Sequence, residues 1–272
     1  MNIKLSTSQL LTIIIFKLIL ILAFLTGYFF TSFTSSYSKN SQAYSLPGAS
    51  QAFTENSTIP DFSTYTDTKQ KKSDFFSFLL PRVIKSNEKI LTERAFLTGL
   101  NINSVLSKSD NKKMYQLADK YNVKDTESKT VYSELLKRID IVPPSLVLAQ
   151  AANESAWGTS RFARKANNLF GQWCYVKGCG IIPLKRGSNE KHEVAKFRSI
   201  QGSITSYMLN LNTQFSYEDL RSIRQEMRES NKTITGYKLA NGLLKYSTRR
   251  EAYVHEIQSM IKFNGLSQYD QK

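Results

Sequence analysis

The chain has 272 residues, 41% of them hydrophobic and 12% aromatic, which leaves room for one large or two small domains with a real core. Its 37 basic residues against 22 acidic give a formal charge of +15, which argues against a cationic partner and for an anionic one. Nucleic acid, an anionic membrane and the bacterial envelope all satisfy that demand, and charge alone does not separate them.

The first 33 residues narrow the choice. Leu10 to Phe30 is apolar apart from Lys17 and two threonines, close to the ~20 residues that span a bilayer. Lys17 leaves a cleaner run from Leu18 to Phe30, of signal-peptide length, and Ser41-Gln42-Ala43 would serve as a cleavage site. A cleaved signal and a retained anchor both stay open, with the balance towards an anchor in the inner membrane. Either places the remainder in the periplasm and takes most of the weight from a cytoplasmic nucleic-acid role. Residues 34–72 are rich in Ser and Thr, include Pro47 and Pro60 and lack periodicity; they read as a flexible linker.

Residues 73–142 read as a helical extension. Phe76, Leu79, Leu80, Val83, Ile84, Ile90, Leu91 and Phe96 suit one or two amphipathic helices over Phe75 to Leu100, and Pro81 permits a break or kink. Met114 to Tyr121 and Val131 to Ile139 are shorter helical candidates. No catalytic constellation and no internal repeat is visible in this half.

The chain is organised around Pro143 to Gly171. Two prolines before Ser145 start a helix, Leu146 to Ala152 is nearly all apolar or small, and Gly158 reads as the stop. At helical spacing Val147, Ala151 and Glu154 share a face, so a carboxyl group closes an apolar stripe. There it meets the negative end of the helix dipole and a dry surrounding, a setting that favours the protonated form required of a general acid. The competing reading is a solvated glutamate at a helix end.

After Gly171 the character changes. Trp173 to Lys196 carries Gly178, Gly180, Pro183 and Gly187 between short apolar pairs, the pattern of an irregular hairpin or small β-lobe. Cys174 and Cys179, the only cysteines, favour a short disulfide loop in an oxidising compartment. A zinc pair is the rival, but only His192 and His255 could complete it. Helices resume at Ser199 to Phe215, Tyr217 to Glu229, Thr233 to Asn241 and Thr248 to Phe263. The expected fold class is α+β and mostly helical rather than a parallel sheet.

Asn153-Glu154-Ser155-Ala156-Trp157-Gly158, then Ser160-Arg161-Phe162-Ala163 and Asn167-Asn168-Leu169-Phe170-Gly171, resemble the signature of the bacterial glucosaminidases of glycoside hydrolase family seventy-three. The likeness continues through Phe197-Arg198, Ser203-Ile204 and Tyr207 to Tyr246 and Tyr253, and covers residues 143–268. The cysteine-bearing insertion and the helical region before it are similar to the Bax-type subgroup of Gram-negative bacteria. The resemblance implies a lysozyme-like catalytic domain that cuts peptidoglycan glycan strands after N-acetylglucosamine, with Glu154 as general acid.

A second carboxyl group is the usual need of glycoside hydrolysis. The family's second glutamate lies further upstream of its Phe-Arg pair than anything this lobe offers; the corresponding place falls near Leu184. Glu190 and Glu193 remain, and Glu193 is preferred because it adjoins the Val194 strand. Assistance from the substrate's own N-acetyl group is the alternative. By residue type and by match to the family's cleft, Asn168, Phe170, Tyr207 and Tyr246 are the expected sugar contacts, and Ile200 stands where the family often has an aromatic. No cofactor and no metal is expected. No Gly-x-Ser-x-Gly elbow, His-Glu-x-x-His helix or phosphate-cradling loop is present. The rivals are a non-catalytic glycan-binding module and a cationic protein binding nucleic acid or membrane, of which the first keeps the cleft and the second does not need it.

Overall fold

The computed structural model describes residues 58–184, 186–187 and 190–270. The expected export segment and most of the linker lie outside the described residues. Among the described residues, no helix is long and apolar enough to cross a membrane. They belong to one compact unit, Ser50–Lys272, into which the helical extension is packed.

Helix α1, Thr68–Thr98, begins inside the stretch read as linker, because Asp67 caps it by accepting the amides of Lys69 and Gln70. Of the one or two helices expected here there is one, and it runs through Pro81 without a break. Phe75, Phe76, Leu79, Leu80 and Val83 are all buried around that proline, so packing on both sides outweighs one missing amide hydrogen. Just upstream, Phe62 is buried and meets Phe75 edge-on at 5.4 Å.

Helices α2, Lys108–Lys120, and α3, Ser128–Arg138, start on side-chain caps from Ser107 and Glu127. The turn that follows is tied down by charge. Arg224 is almost fully buried and donates to the carbonyls of Lys137, Arg138, Asp140 and Ile141 and to Asn212 Oδ1. Burial lowers its guanidinium to about 10, although Asp140 works the other way. The Asp140 carboxylate takes two hydrogen bonds from Arg228, at 2.9 and 2.7 Å.

Helix α4, Pro144–Glu154, is the centre of the core: every residue from Pro144 to Ala152 is buried. Its N-cap is Pro143, which has no capping side chain, and a carboxylate from the far end of the chain takes the place of one. Asp270 accepts Ser145 N at 3.0 Å, Ser145 Oγ at 2.6 Å and Gly236 N at 2.9 Å. The approach is so close that a Cβ on Gly236 would fall 2.2 Å from Ser145 Oγ. Around α4 pack α1, α8 (Gly236–Leu239), α9 (Glu251–Phe263) and the 3-10 turn Leu266–Tyr269. The helix expected over Thr233 to Asn241 is thus only one turn, continued by a 3-10 stretch, Ala240–Leu243. Two further helices, α6 (Ile200–Thr213) and α7 (Glu218–Glu229), lie against α1 and against that stretch.

Between the short helix α5, Arg161–Ala166, and α6 stands the β-lobe. Strands β1 (Trp173–Cys174), β2 (Gly180–Ile181) and β3 (Glu193–Ala195) form an antiparallel sheet in the order β1-β3-β2. Trp173 and Ile181 both pair with Val194, so these three share a face, while Cys174 and Glu193 share the other. The Cys174–Cys179 disulfide closes the loop between β1 and β2. The mostly helical α+β architecture with a small irregular β-lobe is the one the sequence led us to expect.

Candidate active site

The end of α4 is shaped by a backbone that few sequences tolerate. Directly after Glu154 and Ser155, Ala156, Trp157 and Gly158 adopt φ values of +50°, +59° and +78° in succession. A left-handed non-glycine residue costs ~1–3 kcal/mol, and this turn holds two. Ser155 Oγ donates back to Ala151 O and accepts Gly158 N at 2.8 Å. Trp157 packs edge-on against Phe75 and Phe76 at 5.6 and 5.3 Å, and a Cβ on Gly158 would meet the Phe62 ring at 2.8 Å. The helix is stopped one residue past the acid, and α1 with Phe62 clamps the stop.

Glu154 itself is half-buried. Its Oε1 accepts the Tyr253 hydroxyl at 2.8 Å and Asn153 Nδ2 at 3.3 Å. Behind it runs a buried chain of donors: Tyr207 OH donates to Gln150 Oε1, and Gln150 Nε2 donates to Tyr253 OH at 2.8 Å. Gln150 stands one helical turn before Glu154, Tyr207 comes from α6 and Tyr253 from α9.

Aromatic stacking holds this chain in place. Phe170 lies flat on Tyr207, centroids 3.8 Å apart, and Tyr246 lies flat on Tyr253 at 5.2 Å. Tyr246 OH then reaches Phe170 O at 3.1 Å. Burial, reinforced by the neighbouring phenols and the Glu154 charge, pushes the hydroxyls of Tyr207, Tyr246 and Tyr253 well up. Burial raises Tyr217 too, with a hydrogen bond from Asn210 opposing. All four therefore keep their hydrogens at any working pH, and Tyr207, Tyr246 and Tyr253 donate theirs.

The expected sugar contacts take other positions. Asn168 is buried; its Nδ2 donates to Gln172 O and Ala195 O at 2.9 Å each, and its Oδ1 accepts the amides of Phe170 and Gln172. It fastens the Asn-Leu-Phe-Gly turn to β3. Phe170 and Tyr207 are buried behind the acid, so only the half-buried Tyr246 retains a face for substrate. Glu193 is 6% exposed, and both its oxygens are engaged: Oε1 accepts Gly178 N at 3.0 Å and Oε2 accepts Gly180 N at 2.8 Å. Those two amides hold its carboxyl below the ordinary glutamate value. Glu190 is exposed and accepts Gly187 N at 3.1 Å. The oxygens and sulfurs of Glu193, Cys174 and Cys179 lie within 4.8 Å of one another, but both sulfurs are spent on the disulfide, so they offer no thiolate pair to a metal.

Three residues had no role assigned from the sequence. Gln150 was the one polar side chain in the run Leu146 to Ala152, a buried amide that had to find partners. Tyr253 carries the direct contact to the acid. Trp173 is 57% exposed, with one ring face stacked on His192 at 3.9 Å; its backing by His192, two residues from Val194, follows from strand alternation. Two clefts among the described residues lie elsewhere, one lined by Ser86, Ile90, Glu93, Tyr121, Thr205 and Met208, the other by Thr159, Arg161, Arg164 and Lys165.

Comparison with known proteins adds a lineage to this geometry. The family model described as "Glucosaminidase: Mannosyl-glycoprotein endo-beta-N-acetylglucosaminidase" matches residues 129–266. Protein bax of Escherichia coli (strain K12) is 31% identical over 213 residues, 77% of this chain and 76% of that protein. Among solved structures, the catalytic domain of the autolysin Auto from Listeria monocytogenes aligns with a TM-score of 0.42 at 19% identity, over 76% of this chain and 92% of that one, a likeness too loose to transfer the role of any residue.

Proposed function

Because the chain belongs to the glucosaminidase family, we propose that it hydrolyses the β-1,4 bond after N-acetylglucosamine in peptidoglycan, with Glu154 as the general acid. The observation that carries this reading is the placement of Glu154: half-buried at a clamped helix end, with donors on one oxygen only among the described residues.

The chemistry runs as follows. Glu154 gives a proton to the glycosidic oxygen, the C1–O electron pair leaves with that oxygen, and positive charge develops on the sugar ring. The carboxylate that remains is stabilised by the Tyr253 hydroxyl and the Asn153 amide already pointing at it. Water then adds at C1 and gives up a proton to the Glu154 carboxylate, which restores the acid. Glu193 has both oxygens committed to backbone amides, so we assign it to holding the lobe and assign assistance at C1 to the substrate's N-acetyl oxygen, a known departure from the two-carboxylate scheme. Trp173, braced on one face by His192 and open on the other, is the platform for a sugar ring.

The disulfide and the charge of +15 support an extracytoplasmic location against an anionic wall, and the apolar N-terminal segment would tether the enzyme to the inner membrane. Zymography on purified walls tests the function. Wild type should clear and Glu154→Gln should not, with a loss of ~10²–10⁴ in rate. Wild type that binds walls without clearing them would make the chain a glycan-binding module, the alternative that the occupied oxygens of Glu193 keep in view.

A further inference from the structure

The buried chain behind Glu154 has a direction, and direction decides which oxygen of the acid carries the proton. Tyr207 is fully buried, and the acceptor its hydroxyl finds among the described residues is Gln150 Oε1. A primary amide has one accepting end and one donating end, so Gln150 must turn Nε2 to Tyr253. The Tyr253 oxygen then receives a hydrogen from Gln150, and its own hydrogen goes to Glu154 Oε1 at 2.8 Å. Asn153 Nδ2 donates to the same oxygen at 3.3 Å. Turning the amide over would leave the Tyr207 O–H without an acceptor in a dry site, a costly arrangement. Oε1 is therefore an acceptor in both protonation states of Glu154.

We propose that Gln150 is a positioning residue that keeps the acid's proton on Oε2 of Glu154, by fixing the polarity of the chain Tyr207, Gln150, Tyr253. The inference rests on Glu154 being the general acid. In the acid step the Oε2–H bond breaks, the proton passes to the glycosidic oxygen, and that oxygen keeps the electron pair of the C1–O bond. Without the amide, a neutral Glu154 can place its hydrogen on Oε1 against the Tyr253 oxygen, where it points away from substrate. The titratable groups that face Glu154 are the phenols of Tyr207, Tyr217, Tyr246 and Tyr253, all protonated at working pH. Arg249 lies over the Tyr253 ring at 5.8 Å and is paired with Glu256.

Gln150→Met in the full chain keeps the volume and removes the polarity. On soluble glycan strands its kcat should fall roughly tenfold with KM little changed. The alkaline limb of its kcat/KM profile should move up by about half to one pH unit, because the neutral acid gains a second resting place. A merely structural role would lower thermal stability and leave that limb where it was. Should the variant not fold, Tyr253→Phe keeps the ring and its stack on Tyr246 and removes both the donor to Glu154 and the acceptor of Gln150 Nε2, which breaks the same chain at its other end; its alkaline limb should move in the same direction. A limb at the wild-type position in either folded variant overturns the proposal. Glu154→Gln is the separate control: if that variant still clears walls, the proposed function fails first.

Discussion

Glu154 closes a helix among phenols, whereas Glu193 sits on a strand of the lobe among backbone amides. Among the described residues, the first has donors on one oxygen and the other oxygen to spare; the second has a donor on each oxygen and little exposed surface. Two carboxyl groups that look alike in the sequence thus stand in different surroundings, one suited to the proton donation proposed for it and one fastened to the disulfide loop. What separates them is the inventory of donors around each, rather than charge or residue type.

The sharpest way to break this contrast is to remove both carboxylates in turn. Glu154→Gln should lower wall hydrolysis by ~10²–10⁴, whereas Glu193→Gln, measured on the folded protein, should cost less than about tenfold, because it touches only the disulfide loop of the lobe. Equal losses from the two variants would restore Glu193 as a second catalytic group. A smaller effect is expected at the clamp. Gly158→Ala puts a Cβ 2.8 Å from Phe62 at a φ of +78°, and should lower stability by ~1–3 kcal/mol in thermal melts. Activity should fall further than the loss of folded protein explains, since the acid's helix end shifts with it.

The lobe side predicts milder changes. Trp173→Ala should raise KM by roughly three- to tenfold with kcat nearly unchanged, the worth of one stacked ring. The mildest is a pH effect. The Glu193 carboxyl is held low by the amides of Gly178 and Gly180, so its contribution is full above the ordinary glutamate value and fades as pH falls through the lowered one. Cleavage by pepsin between Trp173 and Ala195 should rise across that acid window, and Glu193→Gln should abolish the pH dependence.

Much of the helical half could be read from the residues because burial there is local. Pro143 and Pro144, the small and apolar run to Ala152 and the stop at Gly158 together placed Glu154 at a helix end. Whether Pro81 divides the first helix was not legible, since only tertiary packing of Phe75 to Val83 shows that the helix survives. The lobe was legible as a lobe, and the strand of Glu193 was located, but its hydrogen bonds come from Gly178 and Gly180 across a loop whose path depends on the disulfide. Asn168, Phe170 and Tyr207 have the chemistry of sugar contacts, and residue type does not say which side of a stack faces water. They ended as the frame that holds the acid, while the exposed ring is that of Trp173.

The central claim is that Glu154 protonates the bond on the reducing side of N-acetylglucosamine. Purified peptidoglycan digested with the full chain and then reduced with borohydride reports it directly. Wild type should yield N-acetylglucosaminitol at the new chain ends, and Glu154→Gln should yield almost none. New ends carried by N-acetylmuramic acid, or equal yields from the two proteins, would contradict the account.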